Sequence, residues 1–115
     1  MTIDNPYDKA HELARSIKES EAYQCYAAAQ KQLEQNPEAK ERIRQFRTLQ
    51  IEVNQAQILG QALPNDKVTQ LSVEYAKLNQ EESIAEFFKA ESMFIQMFTD
   101  VQQIIQKSIE SGFIE

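Results

Sequence analysis

Residues 81–111 read EESIAEFFKAESMFIQMFTDVQQIIQKSIES, a stretch without glycine or proline. Ile84, Phe87, Phe88, Phe94, Ile95, Met97, Phe98, Val101, Ile104, Ile105 and Ile109 recur in it at helical spacing, not in the alternation of a strand. At roughly 1.5 Å per residue such a helix is over 40 Å long, which is long for a domain of this size. Placed at 100° per residue, its apolar positions cover an arc of roughly 200°, against the ~100° stripe of a one-sided surface helix. The helix therefore needs cover from more than one side. Shorter helices packing back on it are one source, and a second copy of the chain is the other. Phe94, Phe98, Val101 and Ile105 are the candidate self-association interface on the second account and ordinary core on the first.

The rest of the chain supplies the shorter helices. Asn5-Pro6 offers an N-cap and a first-turn proline, followed by Tyr7, Ala10, Leu13, Ala14 and Ile17 at helical spacing. Ser20 caps a second helix carrying Tyr23, Tyr26, Ala27 or Cys25, and Leu33, although no glycine or proline enforces that break. Asn36-Pro37-Glu38 repeats the cap, proline and acidic first turn, and Ile43, Phe46, Leu49, Val53, Ala56 and Leu59 continue a third helix. Gly60 stands at its expected C-terminus, and Leu63-Pro64-Asn65-Asp66 gives a turn and a fresh start. Val68, Leu71, Tyr75 and Leu78 then mark a fourth helix. Asn79, three residues before Glu82, resembles a capping pair at a bend or new start, and Gly112 ends the last helix.

Two glycines, three prolines and no tryptophan in 115 residues leave too little turn chemistry for a β domain. The expectation is an all-α fold, a bundle of four to five antiparallel helices with a long C-terminal helix, forming a single domain over residues 1–115. Cys25 is the lone cysteine, so no internal disulfide exists. Met1–Pro6 lacks a basic segment followed by an apolar one, and no apolar run approaches the ~20 residues that span a bilayer. A cytoplasmic protein without membrane contact is expected.

Catalytic chemistry is poorly supplied. His11 is the only histidine, which excludes paired Glu-x-x-His motifs and a His-Glu-x-x-His zinc site. Asp8 and His11 share a helix face, but nothing near them completes a metal site, so a surface histidine is expected. Cys25, among Tyr23, Tyr26 and three alanines, reads as a buried small hydrophobe. There is no phosphate-cradling glycine loop and no nucleophile elbow. Neither an enzyme, a metal, a cofactor nor a small-molecule substrate is expected.

Charge is unevenly distributed. Up to Arg47 eight basic residues balance eight acids, so the remainder carries the whole net charge of −6. Lys40, Arg44 and Arg47 follow at four and three residues and share one face of the third helix. That face could meet an acidic partner protein or RNA phosphates; the alternative is a solvated face compensated by Glu38 and Glu41. RNA is poorly served by stacking platforms, since Phe46 falls on the apolar stripe.

The order of these features resembles the YlbF/YmcA family of small helical regulators of Gram-positive bacteria. The resemblance is carried by Ala14 and Ile17, Ser20-Glu21-Ala22-Tyr23 with Tyr26 and Ala29, Asn36-Pro37-Glu38-Ala39, and Phe46 with Gln50. It continues through Leu78-Asn79, Ile84, Phe87 and Ala90-Glu91. It implies an all-α protein, often dimeric, without enzymatic activity, acting with other regulatory proteins to modulate endoribonuclease-dependent mRNA processing and through it competence, sporulation or biofilm formation. Some members carry cysteines implicated in iron–sulfur binding; Cys25 alone cannot hold a cluster without ligands from other chains. A YheA-like group without such cysteines matches as well, through Gly60 and Val68-Thr69-Gln70.

Overall fold

A computed structural model describes residues 5–62 and 65–110. They form five helices: α1 (Pro6–Glu19), α2 (Glu21–Glu34), α3 (Pro37–Ile58), α4 (Asn65–Leu78) and α5 (Glu82–Glu110). No strand occurs among the described residues, so the fold is all-α, a helical bundle with a long C-terminal helix. The expected roles of Pro64 and Gly112 fall outside the described residues.

Side-chain caps set the helix boundaries. The Tyr7 N–H donates to Asn5 Oδ1 at 2.8 Å, with Pro6 in the first turn behind it. Ser20 makes the break that no glycine or proline enforces. Its backbone N–H and hydroxyl both donate to the Ile17 carbonyl, while its Oγ accepts the Tyr23 N–H at 3.2 Å. One residue thus closes α1 and opens α2. Asn36 Oδ1 accepts the Ala39 N–H at 3.2 Å to start α3. At the end of α3, Gly60 adopts φ +68° while its N–H donates to Gln57 O and the Gln61 N–H donates to Ala56 O. These two bonds define a Schellman closure. Asn79 differs from its expected role: its side-chain amide donates to the Tyr75 carbonyl at 2.8 Å, so it closes α4 and does not cap α5.

The chain divides into two compact units, residues 29–88 and residues 1–28 with 89–115; both boundaries fall inside helices, α2 and α5. The 29–88 unit holds a developed core. Leu33, Ala39, Ile43, Phe46, Val53, Ala56, Leu78, Ile84 and Phe87 are buried, Leu78 and Ile84 almost completely. Phe46, Tyr75 and Phe88 bring α3, α4 and α5 together, with ring centroids 5.6–6.1 Å apart. Arg42 Nη1 pairs with Glu81 Oε2 at 3.1 Å, and Lys67 Nζ with Glu52 Oε2 at 3.0 Å.

The other unit, built from α1, the first half of α2 and α5 beyond Phe88, is differently made. Ala90 is its one buried apolar side chain among the described residues. On α1 only Leu13 and Ile17 reach half-burial. Tyr26 stacks on Phe94 with centroids 5.2 Å apart, Tyr23 meets the same ring edge-on at 5.8 Å, and Phe98 follows at 6.0 Å. Cys25 is exposed, correcting its expected burial. Tyr23 and Tyr26 take the positions that face α5, and Cys25 lies about 160° from Tyr23 and about 100° from Tyr26 around the helix.

Candidate functional site

Two surfaces were singled out by sequence, and the fold treats them differently. On α3, Arg44 forks onto Glu41 one turn back, with Nε to Oε2 at 2.9 Å and Nη2 to Oε1 at 2.5 Å. Arg44 thereby holds the Glu41 carboxyl below its ordinary value, and Glu41 in turn raises Arg44. Arg47 lies over the Phe87 ring, 5.7 Å from its centroid. Lys40 is exposed on the same side of the helix. The three cations share a face, as their spacing requires, but two guanidiniums are engaged within the protein.

The second surface lies on α5 beyond Phe88. Of the four candidate interface residues, Phe94 and Val101 are half-buried, Phe94 within the Tyr23–Tyr26 cluster, while Phe98 and Ile105 are exposed. Met93, Ile95, Ile104 and Ile109 are also exposed, with Ile104 the most open at 66%. Ile95, Ile104 and Ile109 belonged to the wide apolar arc; Met93 did not. The available signal was helix length, because the fourteen-residue α2 can cover only one line of a helix twice as long. A shallow groove of about 550 Å³ runs along this unit between Ala22 and the α5 residues Ser92, Met93, Gln96, Met97 and Asp100.

Asp8, His11 and Cys25 are all exposed, and among the described residues no group of three or more His, Cys, Asp or Glu side chains could hold a metal ion. A cleft of about 610 Å³ beside the start of α5 is lined by Gln32, Asn36, Glu81, Glu82, Ser83 and Glu86. Glu81 is committed there to Asn36 Nδ2 and Arg42. No helix among the described residues is long and apolar enough to cross a membrane.

Residues 7–110 match the family model described as control of competence regulator ComK, YlbF/YmcA. A UPF0342 protein of Alkalihalophilus pseudofirmus is 30% identical over 108 residues, covering 94% of this chain and 92% of the relative. One from Caldicellulosiruptor bescii is 32% identical over 106 residues, covering 92% and 89%. Among solved structures, a protein of unknown function (DUF964) from Bacillus stearothermophilus superposes with a TM-score of 0.78 at 25% identity, over 90% of this chain and 91% of that one.

Proposed function

The chain belongs to the YlbF/YmcA family, and from that membership we propose that it is a non-catalytic regulatory adaptor of the cytoplasm that works by binding other protein chains. It modulates endoribonuclease-dependent mRNA processing together with other regulatory proteins, and through it competence, sporulation or biofilm formation. The chain acts as a single domain and takes no cofactor or small-molecule substrate in this role.

The observation that carries this reading is the apolar face of α5 between Met93 and Ile109. Its exposed large side chains stand in a stretch whose charged residues are Asp100 and Lys107 alone. Depletion of charge around exposed apolar groups is the composition of an interface core, whereas a solvated helix face is rich in charge. Self-association through Phe94, Phe98, Val101 and Ile105 buries that face and makes the protein a homodimer or larger assembly. Light scattering coupled to size exclusion, from low to high micromolar concentration, tests the assembly: a dimer mass supports it and a monomer mass throughout overturns it. The regulatory role is tested by mapping mRNA cleavage sites in cells with and without the protein, where unchanged sites and abundances would reject it.

A further inference from the structure

Within the exposed face of α5, five positions follow one another at intervals of three, four, three and four: Ile95, Phe98, Gln102, Ile105 and Ile109. This is the a/d spacing of a two-stranded coiled coil, with Ile95, Gln102 and Ile109 at a and Phe98 and Ile105 at d. The four apolar members are 40–57% exposed. Phe94 and Val101, by contrast, lie beside the seam at g and are half-buried within their own unit. Asp100 and Lys107, the two charged residues of this stretch, both fall at f, the position farthest from the seam.

We propose that this seam pairs with the same seam of a second copy, parallel and in register, with Gln102 opposite the partner's Gln102. The inference rests on the self-association proposed above and names its residues and orientation. Three features select a second copy. The e and g positions hold Phe94, Thr99, Val101, Gln106 and Ser108, so the seam lacks the flanking charges with which coiled coils reject like chains. Gln102 is the single polar residue in the seam, and a carboxamide carries both donors and an acceptor, so it satisfies an identical group across a two-fold axis. A polar a residue also fixes register, because any slip leaves it against an apolar side chain. α5 is already an ordered helix beside α2, so pairing need not bear the cost of nucleating it. The four apolar side chains offer on the order of 350 Å² per copy if a whole Ile or Phe exposes roughly 175–200 Å². A standard interface needs ~800 Å² per partner, so the seam's apolar side chains supply less than half of it, and the flanking e and g residues, of which Phe94, Thr99 and Val101 are already half-buried, add to it.

Cysteine cross-linking of the full chain tests orientation. In a Cys25→Ser background, Ile95→Cys and Ile109→Cys are each oxidised separately, with Ile104→Cys as a control off the seam. Parallel, in-register pairing gives covalent dimers from both seam variants and none from Ile104→Cys. In an antiparallel pair two points so far apart cannot both lie on the two-fold axis, so a dimer by light scattering that cross-links at one site or neither overturns this inference and leaves self-association standing. A monomer by light scattering overturns both. A second measurement does not depend on disulfide geometry. Ile105→Glu should raise the dimer dissociation constant by at least ~100-fold with helix content by circular dichroism unchanged, while Ile104→Glu should change it by less than about threefold. Equal effects of the two substitutions reject the seam.

Discussion

Arg42, in the second turn of α3, meets Glu81, the residue before α5, at 3.1 Å, and the same carboxylate accepts from Asn36 Nδ2 at 3.3 Å. Both members of the ion pair are more than a third exposed, so solvent screens much of the attraction. What the contact supplies is position: it links the start of α3 to the start of α5. A double-mutant cycle of Arg42→Ala and Glu81→Gln, followed by urea denaturation, should give a coupling of about 0.5–1 kcal/mol that shrinks in high salt. A coupling at or below experimental error would mean that the pair has no energetic role.

Gly60 adopts φ +68°, and a Cβ built there meets nothing within 4 Å. Any cost of substitution is therefore backbone strain, with no steric clash to confuse it. Gly60→Ala should destabilise by about 1 kcal/mol and Gly60→Asn by less, because Asn tolerates the left-handed region better. Equal stability of all three chains would show that the Schellman closure does not persist in solution.

Leu78 and Ile84 are the most completely buried large side chains, whereas Ile58 is 83% exposed in the same compact unit. Leu78→Ala and Ile84→Ala should each cost 2–5 kcal/mol, roughly, by the transfer and cavity terms together, and Ile58→Ala less than about 0.5 kcal/mol. Chemical denaturation reads all three. A small loss at Ile84 would contradict the packing described for this core.

These contrasts mark what a sequence of this kind discloses. Asn5-Pro6, Asn36-Pro37 and Gly60 act locally, through hydrogen bonds and backbone angles within a few residues, so their roles were legible before any tertiary structure. Asn79 was not, because an asparagine between two helices can close the first or open the second, and both patterns suit the residues around it. The exposure of Cys25 does not follow from sequence, because Tyr23, Tyr26 and the alanines leave several faces of α2 that could be buried. The division into two compact units was invisible, since both boundaries lie inside unbroken helices. Likewise one apolar pattern runs along α5, yet Ile84 is buried and Ile109 exposed. Periodicity identifies the face, and only the lengths of the helices packed against it decide which part of the face is core.

The Glu41–Arg44 fork makes a titration prediction of definite sign. Hydrogen bonding from Arg44 is the largest influence and lowers the Glu41 pKa from the ordinary 4.5; desolvation opposes it, and Coulombic attraction to the same guanidinium and a hydrogen bond from Gln45 add to the lowering. A carboxyl depressed in the folded state contributes stability that is present above its unfolded pKa and is lost as pH falls through the folded value, so any effect lies below about pH 4.5. Carboxyl-resolved NMR titration should find Glu41 below the ordinary value in the native chain and back near it in Arg44→Ala. No movement on removing Arg44 would mean that the fork is absent in solution.

The same fork bears on nucleic acid. Phosphate binding through Lys40, Arg44 and Arg47 would require Arg44 to leave Glu41 and Arg47 to leave the Phe87 ring, and each departure forfeits an interaction already made. The carboxylate of Glu41 would then face the incoming phosphate. The protein's net charge of −6 adds a long-range penalty that grows as salt is lowered, opposite to the counterion-driven gain of an RNA-binding face. Single-stranded RNA should therefore show no saturable binding by fluorescence anisotropy at low salt, and Lys40→Glu with Arg44→Glu and Arg47→Glu should leave that result unchanged. A saturable isotherm that weakens steeply with salt and vanishes in the triple variant would return this face to the role of an RNA contact.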